Sequence, residues 1–254
     1  PCGTLFPYTT LFRSDADAPG EIGLAPSDHD QPSVHTRLCA SKPVERASCA
    51  ASKNGKDEAS LILETHTRAG GLTLAVVNTV KRAKAIREAI AKKRPAAELL
   101  LVHSQFRPGD REQVIDRLLE TPGEHGTIAI STQVVEAGVD ISAKTLFTDL
   151  APWASLVQRF GRCNRKGEHE DASVIWFDVD TEKKDAGLPY ENEELDGARE
   201  LLERLRDAAP RELPEVTGDL AAKHVVRRRD IIELFDTTPD LAGADIDVSR
   251  FIRE

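Results

Sequence analysis

The chain has 254 residues, 27.8 kDa, 40% hydrophobic and 30% charged residues, only 5% aromatics and a mean hydropathy of -0.37. That suits one or two folded domains and excludes wholesale disorder, and no run approaches the ~18 apolar residues of a membrane-spanning helix, so a soluble protein is expected. The formal charge of -9 is uneven: residues 71–180 carry 15 basic and 15 acidic side chains, residues 181–254 carry 12 and 19, which excludes a grip on nucleic acid through bulk positive charge but not contacts from a few placed groups.

Cysteines at 2, 39, 49 and 163 form no CxxC pair and no cysteine–histidine metal spacing. A metal site is therefore not expected, and a reducing, cytoplasmic setting is. Residues 4–14, TLFPYTTLFRS, read as a translated sequencing adaptor, so 1–14 are set aside from fold reasoning and the natural gene is expected to start upstream. Residues 15–56 are rich in Pro, Ser, Ala, Asp and Gly without sustained periodicity and are expected to be a linker or poorly ordered arm. His29-Asp30 lacks the further ligands that a metal dyad requires. Asp57-Glu58-Ala59-Ser60 imitates a magnesium-binding acidic box, but SKNGK precedes it where a buried strand is needed, so it reads as a helix start.

From 71 to 180, short β-branched runs alternate with amphipathic segments, the pattern of a parallel sheet covered by helices on both faces. Strands are expected at Thr73 to Val77, Glu98 to Val102, Thr127 to Ile130, Thr145 to Thr148 and Ser173 to Phe177, with helices at about 80–94, 109–121 and 153–164. Ligands of such sheets gather at the carboxyl ends of the strands. After the first strand come Asn78 and Thr79, the latter placed to cap a helix carrying Lys81, Arg82 and Arg87. After the second, His103 to Arg111 packs Ser104, Gln105 and Arg107 into one turn before a helix that starts with proline. After the third, STQVVEAGVDIS is expected to bury its valines and turn Thr132, Gln133, Glu136 and Asp140 to a cleft, with Gly138 permitting a tight turn. After the fourth, Gln158, Arg162 and Arg165 are spaced to share one helical face, two guanidinium forks suited to a transferring phosphoryl group. Taken alone, each of these also reads as capping or a solvated basic helix end.

The order of these segments, each after successive strands, resembles the second RecA-like domain of superfamily 2 helicases. VVNTV, HSQFRPGDR, STQVVEAGVDIS and QRFGRCNRKGE are most similar to the helicase-nucleases of type I CRISPR systems, which unwind and degrade DNA marked by an RNA-guided complex. The resemblance implies an α/β fold with a single RecA-like domain over 57–180. It implies ATP contacts from Gln158, Arg162 and Arg165, with Arg162 and Arg165 catalytic, and ribose contacts from Asp140 with Glu136 beside it. Thr132 and Gln133 would contact single-stranded DNA or couple it to the nucleotide. Asn78, Thr79, Ser104 and Arg107 would hold the phosphates of the tracking strand. The sequence contains no GxxxxGK[ST] phosphate loop, so the magnesium ligands and the opposite wall of the ATP site are expected on a first RecA-like domain, and the chain alone is expected to be inactive. Partners implied are single-stranded DNA, that first domain and the RNA-guided CRISPR surveillance complex, with no membrane.

Beyond 180 an acidic helical accessory segment is expected over 181–254. In it Tyr190 to Arg206 forms an amphipathic helix with Leu195, Leu201, Leu202 and Leu205 inward, Arg227 to Arg229 precede a short helix, and 236–254 serve as a connector toward further sequence past Glu254. Two alternatives stay open: another superfamily 2 repair or restriction translocase, and a non-enzymatic nucleic-acid-binding module.

Overall fold

The computed structural model describes residues 31–181 and 187–214. The adaptor-like start, His29-Asp30, Arg227 to Arg229 and the connector lie outside these described residues. The elements run α1 (Pro32–Leu38), β1 (Val44–Arg46), α2 (Lys56–Ala69), β2 (Leu72–Val76), α3 (Val80–Lys92), β3 (Glu98–Val102), α4 (Pro108–Leu119), β4 (Thr127–Ser131), β5 (Thr145–Asp149), α5 (Trp153–Phe160), β6 (Ser173–Phe177) and α6 (Asn192–Arg204). Single 3-10 turns occupy Gln133–Val135 and Pro210–Glu212.

The six strands form one parallel sheet in the order β1-β6-β5-β2-β4-β3. The central strands β2, β4 and β5 are buried along their whole length, because helices cover both faces and leave no polar side to alternate. One face packs Leu74, Val76, Leu146, Val174 and Trp176 against Leu156 and Phe160 of α5 and Leu195, Ala198 and Leu202 of α6. The other packs Ala75, Ile128, Ile130 and Phe147 against Ala59 and Ile62 of α2 and Ala83, Ile86 and Ile90 of α3. The period-2 alternation of the strands thus feeds two separate cores.

Three expectations need correction. Residues 31–56 are not a featureless arm: α1 lies there, and β1 adds a strand at the sheet edge, with Val44 opposite Val174 of β6. The helix expected over 153–164 stops at Phe160, since Ala143 N–H donates to Arg162 O and Asn164 N–H to Ala143 O, both at 2.8 Å, which draws the chain into a bridge beside the sheet. Asn164, at φ 43°, completes that turn. The amphipathic segment forms α6 over Asn192–Arg204 with Leu195, Leu202 and Leu205 buried, but Leu201 is only half-buried.

Candidate functional site

Strands β2 and β5 are neighbours whose onward connections leave in opposite directions, to β3 on one side and β6 on the other. In a parallel sheet the crevice beyond the carboxyl ends of such a pair is where ligands bind. Here a buried polar network fills its floor. Asp149 at the end of β5 accepts from Asn78 N–H at 2.9 Å and from Arg82 Nε and Nη2 at 3.1 and 2.9 Å. Arg82 Nη1 lies 3.1 Å from Glu58 Oε1. Burial opposes the Arg82 charge, yet the two carboxylates outweigh it and hold its pKa above the usual value.

Arg159, fully buried, ties the same floor to α5. Its Nε donates to Glu136 at 2.8 Å, Nη1 to Thr148 Oγ1 at 3.0 Å and Nη2 to Asn78 Oδ1 at 3.1 Å and to the Tyr190 hydroxyl at 3.3 Å. Asn78 is therefore committed inward: Nδ2 donates to Leu150 O, and its own carbonyl accepts from Gln133 Nε2 at 2.9 Å. This corrects the expectation that its side chain meets a phosphate. Gln133 also donates to Tyr190 at 3.2 Å, and Thr132 is buried rather than turned to a cleft. Glu136 serves Arg159 with its carboxylate, so its first partner is a guanidinium.

Three expected contacts stay on the surface. Thr79 caps α3, its hydroxyl accepting from Arg82 N–H at 3.3 Å, and Ser104 and Arg107 are exposed at the turn before α4. The sequence spacing missed Asp149, Arg82, Glu58, Arg159 and Tyr190 as site residues. The one available signal was the pairing of buried-strand context with charge, as in FTDLAPW.

The arginine turn follows α5. Arg162 is 8% exposed; its Nη2 donates to Glu136 O at 2.7 Å, Nη1 donates to Val139 O, and buried Nε has no partner. Burial, then the neighbouring Arg165 charge, lowers its pKa, with Asp140 and Glu136 opposing. Arg165 is half-buried and pairs with exposed Asp140 at 2.7 Å. Gly138, at φ +76°, lets the 136–140 loop fold back so that both arginines reach it. Since α5 ends at Phe160, Gln158, Arg162 and Arg165 do not share a helical face; half-buried Gln158 stays on the helix and the arginines converge on the loop instead. The unpartnered Nε is itself buried and both Nη groups are given to the loop, so Arg162 faces its own scaffold rather than an open cleft, and meeting an anionic group requires the guanidinium to leave that loop.

Residues 69–168 match the family model described as CRISPR-associated nuclease/helicase Cas3, C-terminal. A CRISPR-associated nuclease/helicase Cas3 of Haloferax volcanii is 40% identical over 92 residues, 35% of this chain and 10% of its own length. The fold is similar to that of T. fusca Cas3 crystallised with ADP, at a TM-score of 0.53 and 20% identity, covering 64% of this chain and 22% of that one. It is also similar to a chain in a CRISPR RNA-guided surveillance complex, pre-nicking, at a TM-score of 0.50 and 22% identity, covering 64% and 22%. The chain spans less than a quarter of the length of the curated relatives it matches.

Proposed function

We propose, from the premise that residues 69–168 are homologous to the C-terminal region of the CRISPR-associated nuclease/helicase Cas3, that this chain is the arginine-bearing RecA-like half of an ATP-dependent DNA helicase in type I CRISPR interference. The observation that carries the reading is the arginine turn beside Ala143, at the amino ends of β5 and β6, where Arg162 and Arg165 converge on the 136–140 loop.

In this reading 57–180 is the motor domain, 181–254 an accessory segment, and the setting cytoplasmic. Gln158, Arg162 and Arg165 would hold nucleotide phosphates, and Asp140, with Glu136 beside it, would meet the ribose hydroxyls. When bound, ATP with its magnesium ion supplies the γ-phosphoryl group, and the magnesium ligands belong to the opposing phosphate-loop domain. This chain's own part is to orient: Arg162 and Arg165 leave the 136–140 loop and offset charge spreading over the phosphoryl oxygens, an effect worth roughly 10³ to 10⁵ in rate for such arginines. Thr79, Ser104 and Arg107 would touch phosphates of single-stranded DNA from the surface. Asn78, Gln133 and Thr132 act from beneath, through the network that joins the DNA-facing turns to Arg159. The RNA-guided surveillance complex is the proposed source of that strand.

The test is DNA-stimulated ATP hydrolysis by the purified chain, alone and mixed with the phosphate-loop RecA-like domain of the same motor. No turnover alone and turnover in the mixture are expected. Hydrolysis by the chain alone contradicts the reading.

A further inference from the structure

Lys42 is fully buried, yet no carboxylate hydrogen-bonds its ammonium among the described residues. Nζ instead donates to two backbone carbonyls, Phe160 O at 3.1 Å and Cys163 O at 2.9 Å. Phe160 is the last residue of α5, and Cys163 is the third of the arginine turn, so the two carbonyls bracket Gly161 and Arg162. The final carbonyls of a helix lack partners within it, and a cation there also complements the helix dipole.

The strand of chain that delivers Lys42 is itself fixed on both sides. Asn164 Nδ2 donates to Ser41 O at 3.0 Å, and Val174 N–H donates to Pro43 O at 2.8 Å. On the other side Lys42 N–H donates to Asp207 Oδ1 at 2.9 Å, the Ser41 hydroxyl donates to Asp207 Oδ2, and Ala208 N–H donates to Lys42 O at 3.0 Å. Burying an ammonium without an ion pair is costly, and burial lowers the pKa of Lys42, with the Cys163 thiol and Asp207 opposing and Arg165 adding to the fall. An apolar side chain would fill the same space at less cost, so what the ammonium contributes is its donors.

We infer that Lys42, together with Asp207, is the positioning residue of the arginine turn: the segment before the motor domain and the segment after it clasp residues 160–164 and set where Arg162 and Arg165 stand. The inference rests on the proposed function for its catalytic consequence, not for its placement.

Two measurements test it, on Lys42→Met and on Lys42→Gln, which keeps a donor. The first is backbone hydrogen exchange in the 254-residue chain. In Lys42→Met, protection of the Arg162, Cys163 and Asn164 amides falls about tenfold or more, while Ala75 and Ile130 in the central strands keep theirs, and Lys42→Gln recovers part of the loss. Unchanged protection at 162–164, or an equal loss in the central strands, overturns the inference. The second is DNA-stimulated hydrolysis in the motor containing both RecA-like domains. Lys42→Met lowers kcat about tenfold or more with half-saturation by single-stranded DNA unchanged. A wild-type kcat overturns the catalytic consequence if Arg162→Ala in the same motor is inactive. If Arg162→Ala is fully active, the helicase reading itself falls, and the exchange result alone decides the placement.

Discussion

Arg159 and Arg162 sit three positions apart and do different work. Arg159 spends its donors on Glu136, Thr148, Asn78 and Tyr190, whereas Arg162 reaches only the backbone of the 136–140 loop and keeps one donor free. Spacing within QRFGRCNR could not separate these roles, because the partners of Arg159 lie 10 to 81 positions away in the chain. The same spacing suggested a continuous helix through Arg165, which the pairing of Ala143 with the turn prevents. Between the arginines and the clasp lies Cys163, buried, its thiol pushed up to about 12 by burial despite the nearby Lys42 ammonium. Thiol labelling at neutral pH is therefore expected to modify half-buried Cys39, to modify Cys49 more slowly because burial and the nearby Glu58 and Asp57 push its thiol up, and to spare Cys163 in the folded chain, with Cys163 reacting only in denaturant. Peptide mapping of the labelled chain checks this, and rapid Cys163 labelling would contradict the described packing.

Among the elements, the long strands and their helices were legible because burial on two faces leaves runs of apolar and β-branched residues such as LTLAV and TIAI bounded by polar turns. β1 was not, since three residues are too few for a period to show, and Val44–Arg46 becomes a strand only by joining the edge at β6. The caps were also legible: Thr79 opens α3 and Pro108 opens α4. What no local pattern carried is the ion-pair network that joins α2, α3 and β5, in which Arg82 stands between two fully buried carboxylates, Glu58 and Asp149. Removing the guanidinium leaves both uncompensated. Arg82→Ala is expected to cost about 3–5 kcal/mol, read as a lowered urea midpoint with little change in slope. A loss below about 1 kcal/mol would show that the pair contributes no more than a surface contact.

For the whole molecule, the parallel sheet and the ordered series of polar segments that follow its strands were readable together, and that order carried the resemblance the comparisons support, but the arginine turn lies at the amino ends of β5 and β6 because α5 runs back along the sheet. Stability also has a readable pH dependence. His66 is buried, with Nδ1 2.8 Å from Thr73 Oγ1 and Nε2 3.0 Å from His125 O, and burial lowers its pKa below 6.5 despite the carbonyl. Below 6.5 the unfolded chain takes up a proton that the fold resists, so the neutral ring's contribution is complete above that pH and is lost as pH falls through the lowered value. Urea unfolding at about pH 7.5 and about pH 5.5 should show lower stability in acid, and His66→Gln should reduce that difference; an undiminished difference would place the effect elsewhere. The most direct measurement of the proposed motor is kcat for DNA-stimulated ATP hydrolysis by Arg162→Ala in a protein that joins this chain to a phosphate-loop RecA-like domain, at saturating DNA and nucleotide. A fall of roughly 10³-fold or more with DNA affinity retained is predicted. A wild-type kcat would contradict the account.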